Sequence, residues 1–99
     1  MNSKDKTSKF TALIETAISE AEKEISVAQE VKNDRLVEFC RKQIQYLKQI
    51  KEMAISGKLP CIKNSGIGIL RGVSDWDVSD NFFNACAEVE KYYQNKYNA

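Results

Sequence analysis

Apolar residues recur at Phe10, Leu13, Ile14, Ala17, Ile18, Ala21, Ile25, Ala28 and Val31, the three-and-four spacing of an amphipathic helix. At about 100° per residue this stripe is roughly 140° wide. It predicts a helix over about residues 8–32, capped at its start by Thr7 or Ser8. Glu15, Glu20, Glu22, Lys23, Glu24 and Glu30 keep mainly to the other sides. Asn33 and Asp34 favour caps and turns, and a fresh stripe follows at once. A helical hairpin therefore fits better than one uncapped helix running on to residue 56.

The second helix, about 34–56, carries Leu36, Val37, Cys40, Ile44, Leu47, Ala54 and Ile55, with Phe39, Tyr46, Ile50 and Met53 on an adjoining side. These positions cover roughly 200° of the circumference, interrupted by Gln43 and Lys51. One neighbour cannot cover so broad a surface. The expectation is a central second helix, touching the first on one flank and the last helix or the insert on the other; a self-associating seam is the alternative. Gly57 supplies the stop. A last helix over about 79–97 opens on the caps Ser79 and Asp80 and carries Phe82, Cys86, Val89, Tyr93 and Tyr97.

All four glycines and the single proline (Gly57, Pro60, Gly66, Gly68, Gly72) fall between these helices. The fold expected is a single all-α domain over residues 1–99: a three-helix bundle that starts with a long antiparallel hairpin and holds a Gly-rich, partly structured insert, 57–78, before its last helix. Ile62, Ile67, Ile69, Leu70, Val73 and Trp76 can anchor the insert on the helices. A small hairpin over Cys61–Leu70 and a short helical turn around Ser74–Asp77 are both compatible with its sequence. Ser65-Gly66-Ile67-Gly68 lacks the spacing of a phosphate loop.

Composition narrows the chemistry. Among 99 residues there is no histidine, which excludes imidazole acid-base catalysis, histidine-containing triads and histidine-ligated metal sites. The three cysteines, Cys40, Cys61 and Cys86, show no metal spacing. Cys40 and Cys86 lie on helical stripes as small buried residues, and only Cys61, in the insert, stands as a candidate reactive thiol. Asp75, Asp77 and Asp80 lack the glycine and glutamate of a calcium loop. No enzyme, cofactor or metal site is expected. With no long apolar run or leader pattern, the expected location is cytoplasmic, without membrane contact.

The net charge is only +1, but it is sorted along the chain. Residues 31–71 hold nine bases and three acids, a net of +6, while residues 72–90 hold five acids and no base, a net of −5. Aromatic residues gather in the acidic part, so rings framed by carboxylates form a candidate site for a basic partner. The contact residues expected are Arg71, Asp75, Trp76, Asp77, Asp80 and Phe83. The competing account makes Trp76, Phe82 and Tyr93 core and the acids solvent. A second candidate is the basic arc of the second helix, Arg35, Arg41, Lys42 and Lys48, facing nucleic acid; Glu38 and Glu52 share that arc, and a solvated, ion-paired face accounts for it more simply.

Two amphipathic helices, then Ser65-Gly66-Ile67-Gly68-Ile69-Leu70-Arg71-Gly72-Val73-Ser74-Asp75, then a last helix: this layout resembles that of some small bacterial immunity proteins and related uncharacterised helical families. The resemblance implies inhibition of a partner toxin by surface occlusion, without catalysis. The function expected is that of a non-enzymatic interaction protein of immunity or antitoxin type, a monomer or homodimer, with a basic toxin domain as partner. The alternatives are a nucleic-acid-binding regulator and a self-associating scaffold.

Overall fold

The computed structural model describes residues 3–58, 69, 73, 76 and 78–97. Among these residues the fold is an all-α bundle of three helices with no strand: α1 (Ser3–Glu30), α2 (Asp34–Ile55) and α3 (Asp80–Tyr92), the last continued by a π-helical turn over Tyr93–Tyr97. The expected hairpin over 61–70 and turn around 74–77 lie largely outside the described residues. Ile69 and Val73 have helical backbone, and the Trp76 N–H donates to Val73 O at 3.0 Å.

Helix α1 starts earlier than its cap residues predict. Thr7 and Ser8 sit inside it, because a residue able to cap does not stop a helix where nothing upstream breaks the backbone. At 1.5 Å per residue its 28 residues span about 42 Å, which sets the long axis of a 45 × 22 × 19 Å molecule.

The breaks are made locally. Lys32, at φ 58°, takes the left-handed conformation that ends α1. The Asn33 N–H then reaches Ala28 O (2.8 Å) and the Lys32 N–H reaches Gln29 O (3.2 Å), the paired bonds of a Schellman close. Asn33 next caps α2, its Oδ1 accepting the Leu36 N–H at 3.2 Å. The same close ends α2, with Gly57 at φ 74° and the Lys58 N–H on Met53 O at 2.8 Å. Glycine suits this conformation, which costs another residue about 1 kcal/mol. An added Cβ at Gly57 would meet nothing within 4 Å, so backbone conformation alone explains the residue.

Helix α2 touches α1 on one flank and, at Ile69 and Trp76, the insert on the other, as its broad apolar face predicts. Helix α1 packs against both of the others, whereas no α-carbon of α2 lies within 8 Å of one in α3. Fully buried Ala17, Ala21 and Ala28 leave little bulk on the inner face of α1, so both neighbours can approach it. Within the insert, Ile69 and Val73 are fully buried and Trp76 packs on the core. Phe10, Ile14, Leu47, Ile50, Phe82, Val89 and Tyr93 complete that core.

Helix directions follow from the contacts. Phe10 stacks on Tyr92 with ring centroids 6.0 Å apart, and Glu24 meets Ser79, so α1 and α3 are antiparallel. Lys51 and Glu15 pair at 2.6 Å across the α1–α2 hairpin. It follows that α2 and α3 run parallel.

Candidate functional site

Of the six contact residues expected from the sequence, Arg71, Asp75 and Asp77 lie outside the described residues. Trp76 is half-buried, and its indole stacks on the Phe39 ring with centroids 4.7 Å apart and planes 18° from parallel. Asp80 and Phe83, three residues apart on the first turns of α3, are both exposed. The competing core account holds for Phe82 and Tyr93, both fully buried.

Phe39 joins this surface from α2. The Tyr46 hydroxyl, pushed above its usual value first by burial, also feels the charge of Glu90 and the Tyr93 hydroxyl. Tyr46 and Glu90 are thus near one another on parallel helices. Trp76, stacked on Phe39 of α2, comes four residues before Asp80 and seven before Phe83 in the chain.

Two buried polar side chains fix the surrounding backbone. Ser79 caps α3, its Oγ accepting the Phe82 N–H at 3.3 Å. A capping box would place a glutamate at the third helical position to hold the cap residue's own N–H. That position is the core residue Phe82. The carboxylate comes instead from α1: the Ser79 N–H donates to both Glu24 Oε1 and Oε2, each at 3.3 Å. Glu24 is only 7 % exposed, so the sequence expectation that it belongs to the solvent face is corrected. Its charge also lies at the positive end of α3. On α2, the equally buried Gln43 donates from Nε2 to Ile69 O at 3.1 Å.

Sequence reasoning missed both residues, yet their signal was present. Glu24 falls three positions after Ala21 and four before Ala28; Gln43 falls three after Cys40 and four before Leu47. A polar residue in register with an apolar stripe is brought inside by the helix itself and must find a partner there.

Cys40 and Cys86 are buried free thiols, as their stripe positions predict. The α2–α3 separation keeps their α-carbons more than 8 Å apart, beyond the reach of about 7 Å for a disulfide. Burial pushes the Cys40 thiol up to about 11, with the Glu24 charge adding to the effect. Burial pushes Cys86 up to about 12, where a Gln43 hydrogen bond acts in the opposite sense and Cys40 adds to the rise. A folded value above the unfolded 9.0 means that the thiols' contribution is full below pH 9 and is lost as pH rises through the folded values. Between pH 8 and pH 10, the wild type is expected to lose about 2 kcal/mol more stability than a Cys40→Ala, Cys86→Ala variant, read from urea midpoints; parallel losses would show that these thiols do not titrate differently in the folded state.

The basic arc is solvent-facing: Arg35, Arg41, Lys42 and Lys48 are all exposed, and Lys42 pairs with Glu38 at 3.5 Å. Among the described residues there is no group of three side chains able to hold a metal ion, and no helix is long and apolar enough to cross a membrane. Comparison of the chain with family models, curated proteins and solved structures finds no match.

Proposed function

We propose that this chain is a non-catalytic interaction protein of immunity or antitoxin type, which blocks a partner by covering it with the surface around Trp76, Asp80 and Phe83. The observation that carries this reading is a half-buried tryptophan, stacked on Phe39, four residues before Asp80 and seven before Phe83, both of which reach solvent on α3. Aromatic anchors held in place by packing supply most of the contact energy in protein interfaces. Nearby carboxylates set orientation and steer a positively charged partner. Arg71, Asp75 and Asp77 adjoin these residues in sequence and extend the proposed surface. The partner that suits it is a basic protein domain.

The test uses Asp80→Asn combined with Phe83→Ser, two exposed positions whose replacement leaves the core intact. Immobilised wild-type protein is expected to retain a basic protein from a lysate of its own cell type, and the variant to retain at least about ten-fold less. Expressed alone, the retained protein should arrest growth, and coexpression of the wild-type chain should restore it. Equal retention by both forms removes this surface from the reading; a captured protein with no effect on growth removes the toxin.

A further inference from the structure

We infer that Gln43 and Glu24 are positioning residues for this surface: from inside the bundle they clamp the two ends of the stretch that carries Trp76, and they hold the contact residues in place without touching a partner. The inference rests on the proposed contact surface for its purpose, but the clamp can be measured without any partner.

The geometry supports it in three steps. No α-carbon of α2 lies within 8 Å of one in α3, so their relative placement on this side depends on side chains and on the insert rather than on close backbone packing. Ile69 and Val73 are fully buried in the core that these helices share. Apolar packing of this kind is non-directional and sets no register by itself. Direction comes from two bonds made by the buried side chains of Gln43 and Glu24. Gln43 Nε2 fixes the backbone at Ile69 O, seven residues before Trp76. Glu24 holds the Ser79 N–H, three residues after Trp76 and one before Asp80. Trp76, seated on Phe39, is held between these two fixed points, and the first turn of α3 is aimed by the second. Binding then loses less entropy in ordering its own surface, which is how preorganisation raises affinity.

Trp76 is the only tryptophan in the chain, so its fluorescence reports this stretch directly. Cys40 and Cys86 give a second report from the core; a Cys61→Ser background leaves them as the only thiols. In that background Gln43→Met keeps volume but removes the donor, and Glu24→Gln keeps shape and one acceptor oxygen. With helix content unchanged by circular dichroism, Gln43→Met is expected to shift Trp76 emission to longer wavelength, raise its quenching by acrylamide, and speed labelling of the thiols by an aromatic disulfide reagent about ten-fold. Glu24→Ala should do the same more strongly than Glu24→Gln. Emission, quenching and labelling all at wild-type values in Gln43→Met and Glu24→Ala would overturn the clamp. A loosened Trp76 with undiminished partner retention would leave the clamp standing and overturn the contact surface.

Discussion

Phe10→Ala is expected to destabilise the protein by about 3–5 kcal/mol, the largest single loss anticipated from any substitution on α1. Phe10 is fully buried, and its ring meets two others, Tyr92 stacked at 6.0 Å and Tyr93 tilted at 6.2 Å. These contacts join the start of α1 to the end of α3, as far along the molecule from the hairpin turn as the core extends. Truncation leaves a cavity that rings on a second helix cannot fill by a rotamer change alone, and it forfeits two aromatic pairings beyond the area lost. The loss is a large fraction of the stability of a domain this size. Urea unfolding followed by circular dichroism gives the number. A cost below about 1.5 kcal/mol would mean that α1 and α3 are not packed together at this end. Phe10→Leu, which retains most of the apolar volume, should fall well below the alanine variant.

What the sequence disclosed depends on how local each determinant is. Asn33, Gly57 and Ser79 act within four or five residues of themselves, by a cap or a left-handed close, and all three are legible one window at a time. The start of α1 was not, because Thr7 and Ser8 are permissive signals and a helix already running through them is not interrupted. That both other helices pack on α1 was hidden for a different reason. The width of an apolar face counts neighbours without choosing among them, and for α2 the second flank meets the insert at Ile69 and Trp76. Small alanines, not a wide stripe, mark α1 as the helix that both others approach.

The candidate site was legible in part for the same reasons. Trp76, Asp80 and Phe83 stand out by residue type in an acidic, aromatic stretch, and the structure assigns the first to a stacked pair and the other two to solvent. The partner ring, Phe39, carries no marking of its own in the sequence; only its tertiary stacking on Trp76 brings it into the candidate site. Glu24 and Gln43 are the more instructive cases. Both keep stripe spacing while differing in polarity from every neighbour on the stripe, a mismatch that costs stability unless a specific bond offsets it. Polar residues in register with an apolar stripe thus mark, in the sequence itself, the anchors that the buried face must partner.

Ile69→Ala tests whether the insert belongs to the cooperative fold, and the expected loss is about 2–5 kcal/mol. Ile69 is fully buried in a region whose other described residues belong to no long helix, so local helix propensity contributes little and tertiary packing carries the effect. Its carbonyl accepts the Gln43 amide, a bond that the substitution leaves chemically intact. The loss therefore measures packing in the core rather than a broken hydrogen bond. If the insert lay on a finished bundle, its truncation would leave the core of the helices intact, but Ile69 belongs to that core. Its truncation leaves a cavity there. Urea unfolding followed by both Trp76 fluorescence and circular dichroism should then give a single lowered midpoint. If fluorescence changes first and helicity is lost at the wild-type midpoint, the insert is an independent unit and the three helices do not depend on Ile69.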